Sequence, residues 1–346
     1  FPDLYVANTG GNKLYRNNGD GTFSDVSESS GTAGTQWTSS CLIADLNGDA
    51  LPDIYEVNYL EGDDVFTTVC RDETGKHHAC MPLQFASAQD QLYFNRGDGT
   101  FEKVSEGAGI VVPNGKGLGI VAADFEGTGK LNLFVANDGV ANFYFVNETE
   151  DPAGPPKFSE QALVRGVAYN RNGAAQACMG VAAGDSNADG RLDLLVTNFY
   201  AETSTLYTLQ QGGLFIDDTE TARLDNPSRN MLGFGTQFLD GALRGVSDLV
   251  VTNGHIDNYQ LDNQQVPYEM PTQYFAGRGD GTYEELPAES LGPYFRGKYL
   301  GRGLARLDWN RDGKEDVVIS HLDAPAALLS NTTEAAGHFV KRRLVG

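Results

Sequence analysis

Six stretches of this 346-residue chain repeat one pattern: an acidic or amide residue, an apolar run and a closing polar residue. They are PDLYVAN from Pro2, PDIYEVN from Pro52, LNLFVAN from Leu131, LDLLVTN from Leu192, SDLVVTN from Ser247 and EDVVISH from Glu315. The anchors Asp3, Asp53, Asn132, Asp193, Asp248 and Asp316 are spaced 50, 79, 61, 55 and 68 residues apart. A unit of this length cannot bury its own apolar face, so successive copies must stack to make a core. No Pro- or Ser-rich linker separates the copies, and residues 1–346 are expected to form a single domain.

Five residues after each anchor stands Asn8, Asn58, Asn137, Asn198, Asn253 or His321, a polar group where a strand ends and must turn. Before the last five anchors comes Asp45, Asp124, Asp185, Asp240 or Asp308, and five residues earlier Ser40, Gly119, Gly180, Gly235 or Gly303. Such small residues predict a strand closely approached by its neighbours, as at a narrow central axis. After the anchor runs come LYRNNGDGTFSDVS, LYFNRGDGTFEKVS, LYTLQQGGLFIDDT and QYFAGRGDGTYEEL, each a strand, a Gly-rich turn and a strand. Glycine numbers 42, against about 24 at average usage. The unit is thus four strands, and four-stranded units repeated around an axis are the blades of a β-propeller. The fold class is all-β, with six repeats visible, five complete and an opening one that lacks its first strand and most of its acidic loop.

The acidic loop leading into each anchor run has metal-ligand spacing. In DSNADGRLD, the side-chain oxygens of Asp185, Asn187, Asp189 and Asp193 fall at positions 1, 3, 5 and 9, with the Arg191 carbonyl at position 7. This DxDxDGxxD arrangement wraps one side of a loop around a hard cation, and Gly190 permits the sharp turn. An EF-hand needs a bidentate Glu at position 12; Val196 stands there, in a strand, so no helix-pair switch is implied. Asp45, Asn47, Asp49 and Asp53 keep the full set with the Leu51 carbonyl, as do Asp308, Asn310, Asp312 and Asp316 with that of Lys314. Asp124, Glu126, Thr128 and Asn132, with the Lys130 carbonyl, retain two carboxylates and predict weaker binding. The fifth loop reads Asp240, Ala242, Arg244 and Asp248, and Arg244 should close it by an ion pair. Asp, Asn and Gly also make plain turns, but three intact copies in one register favour Ca2+: three full sites and a weaker fourth, stabilising rather than signalling.

Net charge is −22, which repels nucleic acid and leaves cations or a basic partner as natural counter-charge. No segment approaches the ~20 consecutive apolar residues of a membrane helix. Cys70 and Cys80 share the loop CRDETGKHHAC, and a bridge between them would imply an oxidising compartment: extracellular, cell-surface or periplasmic. Cys41 and Cys178 sit in Gly/Ala-rich surroundings and fit small buried side chains equally well. FPDLYVANTG at the start carries no charged leader or apolar signal region, so any export signal is expected to lie outside this sequence.

Several motifs are absorbed by the repeat. The tripeptides Arg96-Gly97-Asp98 and Arg278-Gly279-Asp280 belong to the GDG turn, which in the first unit begins at Asn18. GLGIVA from Gly117 leads into a strand, not a helix N-terminus, so it is no dinucleotide fingerprint. His77 and His78 are adjacent and would point opposite ways in a strand. Asn147 and Asn331 begin glycosylation sequons. No nucleophile elbow, zinc-protease, CxxC or Walker motif appears, and no catalytic residue is assigned.

These repeats resemble FG-GAP (VCBS) repeats, the units of integrin α-subunit propellers, across essentially the whole chain. LYRNNGDGTFSDVS, CMGVAAGDSNADG, TNGHIDN and GRGLARLDWNRDGKEDVVISHLDAPAALLSN look like the ASPIC/UnbV (cartilage acidic protein-like) branch. The resemblance implies an exported propeller of about seven blades, with a further N-terminal piece and a short C-terminal domain after FVKRRLVG. It carries the metal role onto the loop residues named above and offers no reaction.

Strand alternation puts the acidic loops and the GDG turns on one face. The long connections 59–90 and 254–272, which carry the Cys pair, Tyr259 and Tyr268, lie on the other. Long loops on a rigid scaffold are common recognition sites. The expectation is a non-enzymatic, calcium-stabilised extracellular propeller that binds a protein partner or another copy for adhesion or surface assembly. The alternative is a carbohydrate-binding propeller, a lectin or a polysaccharide lyase; here most aromatics (Tyr15, Tyr93, Tyr144, Tyr207) fall at core strand positions.

Overall fold

The computed structural model describes the chain except residues 73–74, 259, 262–263, 335–336 and 340–346, and the side chains of 260–261 and 264–265. The repeat forms six antiparallel sheets, four of four strands and two, the first and last, of three. The second runs Thr38–Ala44, Asp53–Asn58, Gln91–Asn95, Phe101–Lys103, and the third Gly117–Ala123, Asn132–Asn137, Phe143–Asn147, Phe158–Glu160. The fourth is Val181–Gly184, Asp193–Val196, Thr205–Leu209, Phe215–Asp217; the fifth is Gly233–Leu239, Asp248–Asn253, Gln273–Gly277, Tyr283–Glu285. These sheets are the blades of an all-β propeller, meander-connected as the repeat predicts. Among the described residues the opening sheet has no counterpart of the first strand. In the last, Gly301–Leu307, Asp316–His321 and Ala327–Leu329 are present, without the fourth strand of a complete unit among the described residues.

The packing divides into two compact units, residues 1–178 with 211–214, and residues 179–210 with 215–346. In the first, Leu46, Tyr55, Val57, Leu92, Leu133 and Phe145 form a core, with Tyr5, Leu14, Ile54 and Tyr93 a smaller one. In the second, Leu195, Leu206, Phe238, Leu249, Phe275 and Tyr283 do the same. Every residue of Asp53–Asn58, Asn132–Asn137 and Asp248–Asn253 is buried, which is why the second strands read as apolar runs, interrupted in the second blade by Glu56.

The small residues of the first strands in the fourth and fifth blades are explained by contact. A Cβ on Gly180 would lie 1.9 Å from the Phe234 carbonyl oxygen, and one on Gly235 would lie 2.4 Å from the Leu304 nitrogen. Hydroxyls also tie neighbouring blades: Ser39 Oγ donates to the Gly117 carbonyl at 2.6 Å and Thr197 Oγ1 to that of Phe234 at 2.7 Å.

One element went unread in the repeat. After the outer strands of the first three blades come single helical turns, Ser27–Ser30, Ser105–Ala108 and Ala162–Arg165, ended by Gly31, Gly109 and Gly166 in the left-handed region. Ser27 and Ser105 accept the Leu14 and Leu92 N–H at 2.9 and 3.0 Å, so the first two turns pin the third strands of their blades.

The 59–90 connection folds on itself. Leu60–Glu61 pairs with Ala86–Ser87 and Cys70–Arg71 with His77–His78, and a Cys70–Cys80 disulfide closes the tip. Cys41 and Cys178 are free thiols, Cys178 buried. No helix among the described residues is long and apolar enough to cross a membrane.

Candidate functional site

The anchor carboxylates act first as clasps between strands. Asp53 Oδ1 accepts the Asn95 N–H at 2.9 Å and Oδ2 that of Leu46 at 3.3 Å. Asp193 repeats this with Leu209 at 2.8 Å and Ser186 at 2.9 Å, and Asp316 with Asn331 at 2.7 Å and Trp309 at 3.1 Å. Asp3 and Asn132 keep the first half, accepting the N–H of Asn17 and Asn147 at 2.8 and 2.9 Å. One side chain thus joins the end of the third strand to the second residue of the acidic loop. Asp53 and Asp193 are fully buried, and burial raises both carboxyls, Asp53 to about 6, with the like charges of Asp49 and Asp45 adding to the push.

Position 1 organises the loop. Asp45 accepts the N–H of Gly48, Asp49 and Ala50 at 2.7, 3.2 and 2.9 Å; Asp185 accepts those of Asp189 and Gly190 at 3.1 and 2.9 Å. Asp308 accepts that of Gly313 at 3.2 Å. Asn47, Asn187 and Asn310 take the N–H of position 5, and Asp49, Asp189 and Asp312 that of position 7. Two residues per loop adopt positive φ, Gly48 and Ala50, Ala188 and Gly190, Arg311 and Gly313, so positions 4 and 6 both turn left-handed. A carboxylate has about four acceptor sites, so these donors leave lone pairs on the Asp oxygens. The oxygen-only donor set suits a hard cation. Asp45, Asn47, Asp49 and Asp53, their counterparts in the fourth and sixth loops, and the carbonyls of Leu51, Arg191 and Lys314 are the residues that could hold it. Among the described residues no group of three or more His, Cys, Asp or Glu side chains is drawn into a metal cluster.

The two divergent loops substitute protein contacts. Arg244 Nη2 meets Asp248 Oδ1 at 2.6 Å and donates to the Gly277 carbonyl at 3.2 Å, the ion-pair closure its sequence predicts. In the third, Glu126 faces Arg165 at 2.8 Å and Asn132 Nδ2 donates to the Tyr144 hydroxyl at 3.1 Å, while Asp124 binds the N–H of Thr128 at 2.8 Å. In the fourth, Arg191 pairs with Asp189 and donates to the Leu209 carbonyl at 2.9 Å.

The other motifs of this face are occupied. In the two RGD turns, Asp98 and Asp280 accept the N–H of Thr100 and Thr282 at 2.9 and 3.0 Å, and Arg96 and Arg278 pair with Glu102 and Glu284. Asn147 is buried, its amide donating to the Leu46 and Leu131 carbonyls at 2.8 and 3.0 Å; that of Asn331 donates to the Gly241 carbonyl at 2.7 Å.

On the opposite face, the residue five places after the anchor closes the next connection at its base. Asn137 donates to the Ala141 carbonyl at 2.8 Å, Asn198 to Thr203 at 2.6 Å, Asn253 to Pro271 at 2.9 Å and Asn58 to Gln89 at 2.8 Å. The same bond therefore closes a short turn and the 59–90 insertion. That insertion rests on Trp37, whose ring lies 5.1 Å from Tyr59 and 5.5 Å from Phe66. Tyr59 donates to Asp138 at 2.5 Å. The outer surface of the insertion shows Phe66, Val69, Met81 and Leu83, each more than half exposed. Behind it lies a pocket of about 540 Å3 bounded by Leu83, Phe85 and Gln89 of the insertion, Val112 and Lys116 of the next connection, and Val140. Tyr259 lies outside the described residues; Tyr268 is half-buried, its carbonyl accepting the His255 N–H at 2.8 Å.

Residues 1–56 match the FG-GAP-like repeat family. The chain is 27% identical over 217 residues to Cartilage acidic protein 1 of Xenopus tropicalis, covering 56% of this chain and 31% of that protein. It therefore spans under a third of that relative's length. Among solved structures, an Agrocybe aegerita lectin, described as recognising non-reducing terminal N-acetylglucosamine, is 16% identical with a TM-score of 0.49 over 95% of this chain and 77% of the other. The rhamnogalacturonan lyase YesW is 14% identical, TM-score 0.43, over 92% and 50%.

Proposed function

We propose that this chain is a non-enzymatic, calcium-stabilised extracellular propeller that binds a protein partner, or a second copy of itself, through its insertion face. The observation that carries this reading is the 59–90 insertion. It is bolted to the second blade by Asn58, stapled by a disulfide, and holds Phe66, Val69, Met81 and Leu83 toward solvent. Exposed apolar side chains on a rigid support are what a partner surface needs, because little ordering entropy remains to be lost on contact. The disulfide supports an oxidising compartment. Ca2+ in the second, fourth and sixth acidic loops would neutralise carboxylates that otherwise repel one another.

A photo-crosslinking residue at Met81 should capture an extracellular protein or a second copy, and one at Thr100 on the other face should not. Equal yields from both, or none from either, reject the assignment. Chelation should lower the melting temperature; an unchanged melt after verified metal removal rejects the calcium role.

A glycan reading is favoured by one feature. Tyr294 and Tyr299 stack at 4.7 Å and 5° beside His321, whose Nε2 lies 2.8 Å from the Tyr294 hydroxyl. Half-buried rings with polar edges suit sugar faces. A saturable glycan-array signal abolished by Tyr299→Ala or Tyr268→Ala would move the assignment to a lectin.

A further inference from the structure

Lys116 breaks the repeat. Counted back from the small residue of the first strand, its position is held elsewhere by Trp37, Ala177, Leu232 and Leu300, of which Leu232 and Leu300 are fully buried. Lys116 itself is only 5% exposed, and it lines the 540 Å3 pocket. A buried ammonium in an apolar column is costly unless paired. Its Nζ donates to the Phe85 carbonyl at 2.8 Å, which uses one of three N–H donors. Among the described residues it has no carboxylate in ion-pair range. Asp138, the one acidic group that favours its charge through space, is engaged by the Tyr59 hydroxyl, and burial draws the Lys116 pKa down. The pocket has the volume of a small-molecule site, and Leu83, Phe85, Val112 and Val140 give it apolar walls.

We infer that this pocket binds an amphipathic monocarboxylate, its apolar body against these walls and its carboxylate on Lys116 Nζ. The acid is either a free small molecule or the C-terminal residue of a peptide, since the two present the same chemistry. The site needs no partner protein, so its failure would leave the crosslinking result at Met81 untouched.

Isothermal titration of the intact chain tests this with two acid–amide pairs, 4-phenylbutyrate and its amide, and N-acetyl-Ala-Leu with a free or amidated C-terminus. At least one acid should bind saturably and about tenfold or more tighter than its amide, because only the acid gives Lys116 a charged partner. Binding by phenylbutyrate alone identifies a free acid; binding by the peptide alone identifies a C-terminus. Lys116→Met should remove the acid preference, and Val140→Trp should block both ligands by filling the pocket while keeping the amine. Equal affinity for acid and amide, no binding by either acid at millimolar concentration, or full affinity in a folded Lys116→Met protein would each overturn the site. The acid–amide comparison uses the unmodified chain and decides the matter even if Lys116→Met does not fold. A Lys116 that only pins the insertion through Phe85 would show no acid preference.

Discussion

Replacing Asp193 by Ala separates the clasp made by an anchor carboxylate from the calcium role proposed for it. The side chain is fully buried and accepts the backbone N–H of Leu209 at 2.8 Å and of Ser186 at 2.9 Å. It also accepts the Ser186 hydroxyl, so deleting it orphans three buried donors, of which the two backbone N–H groups cannot turn to another partner and cost about 1–3 kcal/mol each. Relief of the burial that raises this carboxyl offsets part of the loss, leaving about 2–4 kcal/mol in excess chelator. Asp248→Ala is the control: it clasps Gly277 at 2.8 Å and the Tyr274 hydroxyl at 2.7 Å, but Arg244 stands in its loop. In chelator the two variants should lose similar stability in urea denaturation followed by far-UV circular dichroism. Adding calcium at 100 times its Kd should stabilise the native protein and Asp248→Ala by about 2.7 kcal/mol per occupied site, while Asp193→Ala forgoes one such increment. An Asp193→Ala cost below about 0.5 kcal/mol in chelator refutes the clasp, being less than one orphaned donor. A gap between the variants that calcium does not widen refutes the ligand role.

Three further outcomes are expected. Gly235→Ala drives a Cβ into the Leu304 nitrogen and should cost about 3 kcal/mol or more, whereas at Gly303 the nearest atom is the Ser320 hydroxyl at 3.0 Å and the cost should stay below about 1 kcal/mol; equal costs in urea melts contradict the packing argument. Asp90 accepts the Asn58 N–H at 2.8 Å and the Tyr55 hydroxyl at 2.9 Å, and burial pushes its carboxyl up to about 7. Because this folded value lies above the unfolded one of about 4, its contribution to stability is full below about pH 4 and lost as pH rises to about 7. The stability of Asp90→Asn relative to the parent should thus climb across that window by up to about 4 kcal/mol, and a flat difference refutes it. Expression in a glycosylating host should leave Asn147 unmodified by peptide mapping, since both N–H groups of its buried amide are spent on the carbonyls of Leu46 and Leu131; occupancy at Asn147 in folded protein contradicts that geometry.

Much of the blade was legible because each of its physical demands recurs. A buried second strand needs an apolar run, a close first strand needs Gly or Ser, and a tight hairpin needs GDG, so the period exposes all three. Arg244 was legible for the same reason, as a charge placed where the register calls for an oxygen. The clasp function of Asp53 and Asp193 was not, because metal ligation and backbone capping ask for the same residue at the same place. The one-turn helices leave only a short serine-to-glycine signal in the first two blades and none in ALVRG. Lys116 and Glu56 were visible in principle as polar residues in apolar columns. Glu56 stands where other blades carry Val6, Val135, Val196, Val251 and Ile319, and accepts from Asn12 Nδ2 at 2.7 Å. Comparing columns, not motifs, is what finds them.

The amide bracket at the end of each second strand bears on how such chains acquire new specificities. Asn137 closes a connection at i+4 and Asn58 closes one at i+31 with the same bond. Lengthening the enclosed segment between these limits adds about 2 kcal/mol of closure entropy, a logarithmic cost that a disulfide or a few apolar contacts can offset. The sheet below is insulated from what is spliced in above it. Each bracket is therefore an attachment port: foreign segments can be traded there, in the laboratory or over generations, without asking the frame to learn to fold again.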